Sequence, residues 1–135
     1  MGRIIVQVEI TNALDPVNRI RCNTLVDTGT SGLILPKAWK DKLGDLPACR
    51  LVEMETADQR VVSGEVCGPV KIQIDGFEPI YNEVIFLDMN GSEKSYEPLL
   101  GYIILEQSRA AVDLEKHRLV EIKYFDLKNL KKFGD

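Results

Sequence analysis

Leu25-Val26-Asp27-Thr28-Gly29-Thr30-Ser31-Gly32 is the stretch on which the fold of this 135-residue chain turns. Two apolar residues lead an extended segment into Asp27-Thr28-Gly29, where Gly29 permits a tight backbone turn and Asp27 is held just beyond the strand end. Asp-Thr-Gly alone is an ordinary hairpin turn, because Asp and Gly are common turn residues. Far downstream, Pro98-Leu99-Leu100-Gly101 changes its weight. That second element follows a hairpin-like segment and precedes a short helical turn at residues 103–108.

Working outward, most of the chain has the period of two expected of half-buried strands. Ile4, Val6, Val8 and Ile10 share one face, while Arg3, Gln7 and Glu9 occupy the other. Residues 3–11 are therefore predicted as a strand. Asp15-Pro16-Val17-Asn18 supplies a turn, and residues 20–26 return antiparallel. Residues 33–35 are predicted as a short buried strand ended by Pro36, and residues 37–43 as a brief helix stopped by Gly44. A long hairpin follows, residues 51–56 outward and 60–74 back, with Ala57-Asp58-Gln59 near its tip. Asp75-Gly76 marks the next turn, residues 84–87 a central strand, 88–96 a polar loop, and 111–114 with 119–124 a closing hairpin. The count is eight to ten strands and two short helices, an all-β class compatible with a closed barrel. One domain is assigned to residues 1–124 and a C-terminal tail to 125–135.

Composition narrows the function. The chain is 44% apolar and 28% charged, with a formal net charge of −4. No apolar run approaches the roughly 18 residues of a membrane span, and the start lacks the pattern of a secretory leader. A complete small cytosolic protein, with no membrane partner, is expected. The acidic balance argues against a nucleic-acid surface, since Lys128, Lys131 and Lys132 form the only local basic excess. Cys22, Cys49 and Cys67 stand apart in sequence with no C-x-x-C pair, which predicts reduced, mostly buried thiols rather than a zinc site or a disulfide framework. A histidine base would have to be His117, and Glu115-Lys116-His117-Arg118 has the composition of a hairpin turn. Ser31 is expected to bond backbone or Asp27, Trp39 to pack, and Phe125, Leu127, Leu130 and Phe133 to dock the tail on its own domain.

Taken together, the ordered motifs resemble the retropepsin-like aspartic proteases, the family of retroviral proteases and of the protease domain in DNA-damage-inducible ubiquitin-shuttle proteins. Residues 25–32 look like the catalytic loop, 55–64 like the flap, 99–105 like the hydrophobic-hydrophobic-Gly turn with its helix, and 111–120 like the following strand pair. The resemblance implies an acid-protease-like closed barrel that works as a homodimer, with its active site at the two-fold axis. It implies an aspartic endopeptidase with Asp27 as the catalytic residue, supported by Thr28, Gly29 and Gly101. Thr28 would bond across the axis. Thr30, Ala57, Asp58 and Gln59 would bind an extended peptide substrate, and neither metal nor organic cofactor is implied. Two departures stand out: the tip Ala57-Asp58-Gln59-Arg60 has no glycine, and Tyr102-Ile103 occupies the place of Arg-Asn in retroviral enzymes.

The chemistry needs two carboxylates a few ångströms apart, sharing one proton, so that one activates water while the other protonates the peptide carbonyl. Asp-Thr-Gly occurs once here, and Asp75-Gly76 lacks the intervening Thr or Ser. One chain would then hold half a site, which a two-fold dimer completes. A non-catalytic peptide-binding or scaffolding dimer, and a monomeric structural barrel, are the alternatives left open by the sequence.

Overall fold

The computed structural model describes residues 3–55, 58–88 and 97–123. The alternating N-terminal segment forms β1 (Ile5–Asn12), which pairs antiparallel with β2 (Arg19–Val26), Ile5 opposite Leu25 and Thr11 opposite Arg19. Asn12 organises the turn between them. Its fully buried side chain accepts the N–H groups of Leu14 and Asp15 at 2.9 and 3.1 Å, and donates to the carbonyls of Leu43 and Asp45 at 2.8 Å each. One polar side chain thereby ties the first turn to residues 43–45, two strands further along the chain.

β3 (Leu33–Pro36) is buried throughout and includes Pro36 rather than ending before it. The following helix, Lys37–Leu43, has 3₁₀ geometry and ends at Gly44. Trp39 packs against the core, with Lys42 Nζ 5.2 Å from its ring centroid, a cation–π contact. β4 (Ala48–Glu55) and β5 (Val61–Ile74) form the long hairpin, from Ala48 opposite Gly68 to Glu55 opposite Val61. β5 has 14 residues because it serves three neighbours: its first half pairs with β4, its second half with β1, and its other edge with β6 (Ile80–Leu87). A register shift between Cys67 and Val70 marks the changeover.

With the two-residue β7 (Leu99–Leu100), the sheet order is β1-β2-β7-β3-β6-β5-β4, and the extra β1–β5 pairing joins the first strand of that order to the sixth. Six strands therefore close into a ring, and β4 hangs from it as an edge. Val8, Ile10, Leu33, Leu35, Ile72, Ile74, Val84, Phe86 and Leu100 fill the interior with no exposed surface. Each such side chain contributes roughly 1.5–3 kcal/mol through burial. After β7 (Leu99–Leu100) come α1 (Tyr102–Gln107) and a separate hairpin, β8 (Ala110–Asp113) with β9 (Arg118–Glu121). His117 lies in its turn with φ 52°, where Asp113 Oδ1 accepts the N–H groups of Glu115 and Lys116.

Nine strands and two short helices among the described residues fall within the predicted count. The polar loop at 89–96, Tyr124, the tail and its apolar face lie outside the described residues. Among those described, no helix is long and apolar enough to cross a membrane.

Candidate active site

β7 is only two residues long, yet it fixes the site. It lies between β2, to which it is parallel (Leu25 opposite Leu99, Val26 opposite Leu100), and β3, to which it is antiparallel (Leu33 opposite Leu100). The chain leaving β2 and the chain leaving β7 consequently emerge side by side. Asp27 N donates to Leu100 O at 2.9 Å, so the backbone of Asp27 is tied to the inserted strand.

The two exits then interlock. Gly101, Tyr102 and Ile103 donate their N–H groups to the carbonyls of Gly32, Thr30 and Ser31 at 2.9, 2.8 and 2.9 Å. Gly101 sits at φ −90°, an angle open to any residue, so its role is space. A Cβ there would meet Thr30 O at 2.4 Å, Gly32 O at 2.5 Å and Ser31 C at 2.5 Å.

Within the loop both carboxylate oxygens of Asp27 are held. Oδ1 accepts the N–H of Gly29 at 3.0 Å, and Oδ2 accepts the hydroxyl of Thr30 at 3.0 Å. The backbone closes the turn through Thr30 N to Asp27 O at 3.1 Å. The orientation of the carboxylate is thus set by donors on its own loop, while lone pairs remain available on a half-buried group. The hydroxyl doing this belongs to Thr30, at i+3, whereas the sequence pattern pointed to Ser31 for that role. Thr28 and Gly29 are exposed.

A search of family models returns no match, and a search of curated proteins returns none. Solved structures do match. The EIAV protease, in a complex with the inhibitor HBY-793, has 22% identity and a TM-score of 0.61 over 84% of this chain and 94% of its own. The retroviral protease-like domain of Ddi1 from Leishmania major has 17% identity and a TM-score of 0.51, covering 90% of each chain. The chain has the retropepsin fold.

On the retropepsin fold the expected residues divide into two groups. Asp27, Thr28, Gly29 and Thr30 occupy one loop, with Gly101 packed directly beneath its backbone. Asp58 and Gln59 lie at the end of the β4–β5 hairpin, and Ala57 is outside the described residues. Asp58 Oδ2 accepts the Arg60 Nε–H at 3.1 Å, and Gln59 adopts φ 66°. The tip therefore presents Asp58 paired with Arg60. The inserted strand β7 was missed because two residues carry no periodicity. The Pro-Leu-Leu-Gly run was its only signal, and pairing to β2 and β3 made it a strand.

The cysteines also depart from expectation. Only Cys67 is buried, Cys22 is half-buried and Cys49 is exposed. Cys49 and Cys67 stand opposite each other in the β4–β5 ladder, a proximity that their sequence separation conceals.

Proposed function

We propose that this protein is a homodimeric aspartic endopeptidase that cleaves extended polypeptide segments, each protomer contributing one Asp27. The observation that carries this reading is the Asp27 carboxylate, held at both oxygens on a loop interlocked with the Gly101 turn and left half-exposed. The chain contains a single Asp-Thr-Gly, so a second carboxylate has to come from a second copy. Thr28, exposed next to Asp27, would donate its hydroxyl across the two-fold axis. The domain spans residues 1–124, with 125–135 as a tail, and works in the cytosol without a cofactor.

In this mechanism two Asp27 side chains close to the axis share one proton, because both cannot ionise at short range without mutual repulsion. The ionised member takes a proton from a water molecule positioned between them. The water oxygen attacks the peptide carbon, and the protonated member gives its proton to the carbonyl oxygen. Collapse of the resulting diol breaks the C–N bond, with a proton passing to the departing nitrogen. Gly29 N–H and the Thr30 hydroxyl keep the carboxylates from rotating during these transfers. The β4–β5 hairpin closes over the peptide and excludes water, presenting Ala57, Asp58 and Gln59 to it.

Sedimentation of the wild-type chain, followed by a peptide-library cleavage screen from acidic to neutral pH, tests the proposal. A dimer whose cleavage is abolished by Asp27→Asn, with the dimer retained, is the expected outcome. Inhibition should follow from a peptide mimic bearing a hydroxyl in place of the scissile carbonyl. A strict monomer without turnover at any concentration, or full turnover by Asp27→Asn, overturns it. Peptide binding without cleavage identifies a scaffolding dimer instead.

A further inference from the structure

We propose that Cys49 and Cys67 form a dithiol that closes reversibly to a cross-strand disulfide, making the base of the β4–β5 hairpin a site of oxidative modification. The proposal stands apart from catalysis. It rests first on register, since the two cysteines are direct partners in the antiparallel ladder. Directly opposed residues have Cα atoms about 4.5–5.5 Å apart, inside the roughly 4.4–6.8 Å range of disulfides. Both sulfur atoms and a Glu65 carboxylate oxygen lie within 4.8 Å of one another. Side-chain rotation alone can then bring the sulfurs together, with no change of strand pairing.

Chemical asymmetry assigns the two roles. Cys49 is exposed, its thiol donating to Leu46 O at 3.3 Å, so it is the sulfur an oxidant meets first. Cys67 has no exposed surface. Burial, reinforced by its hydrogen bond with Cys49, pushes the Cys67 thiol up, and the Lys40 ammonium works in the opposite direction. Lys40 is anchored here from the 3₁₀ helix, its Nζ 2.7 Å from Glu65 Oε1. That ion pair also favours a dithiol over a metal site, because a divalent cation would have to displace an ammonium from its carboxylate ligand and protons from both thiols.

A low-molecular-weight disulfide supplies the oxidising equivalent. The Cys49 thiolate attacks one sulfur of the oxidant and expels a thiolate, leaving a mixed disulfide on Cys49. The Cys67 sulfur then attacks Cys49 Sγ and expels the second half of the oxidant, which leaves as a thiol carrying the Cys67 proton. Two protein thiols are oxidised and one oxidant disulfide is reduced to two thiols. The new bond staples β4, which pairs only with β5 among the described strands, at the end of the hairpin opposite Asp58 and Gln59.

The test is incubation of the native full chain with glutathione disulfide, in the presence of a chelator, followed by intact-mass measurement and peptide mapping. The wild type should lose about 2 Da and yield a Cys49–Cys67 cross-linked peptide that dithiothreitol reverses. Cys22→Ser should behave identically. Cys67→Ser should stop at a stable glutathione adduct on Cys49, and the exposed Cys49→Ser, which leaves the core untouched, should give no intramolecular link. Overturning results are a wild-type chain that accumulates only adducts or intermolecular disulfides. Slow alkylation of both thiols before chelation, made fast by the chelator, would reassign the pair to a metal and equally overturn the proposal.

Discussion

Gly101→Ala adds a single methyl group at the point where the Asp27 loop and the β7 exit interlock, and its cost follows from the distances. Three backbone atoms, Thr30 O, Gly32 O and Ser31 C, would stand 2.4, 2.5 and 2.5 Å from the new Cβ. Ordinary van der Waals contact begins near 3.4 Å, so the loop has to retreat by about 1 Å. Retreat stretches the bonds from Gly101, Tyr102 and Ile103 to Gly32, Thr30 and Ser31 beyond hydrogen-bonding range, starting as they do at 2.8–2.9 Å. Overpacking at roughly 1–3 kcal/mol and two or three weakened bonds at about 1 kcal/mol each give a total near 3–6 kcal/mol. Against a typical stability of about 5–15 kcal/mol this is a large fraction, equivalent to a fall in Tm of about 10–20 °C.

The control is Gly76→Ala. Gly76 has φ +88° and open space around its Cβ position, so it isolates conformational strain from collision. Strain of this kind costs about 1–2 kcal/mol. Thermal melts followed by circular dichroism, with urea titrations to verify an unchanged m-value, compare the two variants directly. Gly101→Ala should be the more destabilised by at least about 1 kcal/mol and should lose cleavage activity. A Gly101→Ala melt at or above that of Gly76→Ala would refute the claim that Gly101 is required for space.

Three further outcomes are expected. Asn12→Ala deprives the carbonyls of Leu43 and Asp45 and the N–H groups of Leu14 and Asp15 of their buried partner. A loss of about 3–5 kcal/mol in urea unfolding is expected, and a loss below about 1 kcal/mol would show that water replaces the amide freely. Burial pushes the Cys22 thiol from 9.0 up to about 11, so its native thiolate fraction at pH 8 is lowered roughly 100-fold. Iodoacetamide should therefore label Cys49 well before Cys22, as peptide mapping of a time course would reveal. By linkage the same shift has a definite sign: the folded state retains the Cys22 proton that the unfolded state releases above about pH 9. Stability conferred by the neutral thiol is full below that pH and is lost as pH rises through about 11, which urea midpoints of wild type and Cys22→Ala measured across the interval will reveal.

Which features were legible in the sequence depends on how far each one's cause extends along the chain. Alternation at Ile4, Val6, Val8 and Ile10 located β1, because one strand's two faces are written in consecutive residues. Gly44 stopped the 3₁₀ helix where expected, another local effect. The start of β4 was missed: Ala48, Cys49 and Arg50 are all exposed on an edge, so no buried face imposes alternation on them. The apolar pattern of β6 shows only from Val84, although its ladder begins at Ile80 opposite Ile72, because exposed Tyr81 and the polar, half-buried Asn82 and Glu83 separate the half-buried Ile80 from the apolar run. In the candidate site Asp27, Gly29 and Gly101 were singled out by motif, since a turn and a close backbone approach restrict residue type. Thr30 was assigned to the substrate because nothing in a tetrapeptide tells which of two neighbouring hydroxyls turns inward; the turn at Asp27 brings residue i+3 to its carboxylate. The cysteine pair was the least legible of all. Its proximity requires the register of a whole hairpin, and a one-residue slip would turn one sulfur to the opposite face of the sheet. Asp27 and the cysteine pair therefore differ in kind: donors on its own loop orient the Asp27 carboxylate, whereas the two sulfurs meet only if the β4–β5 ladder is in register from Ala48 to Glu55.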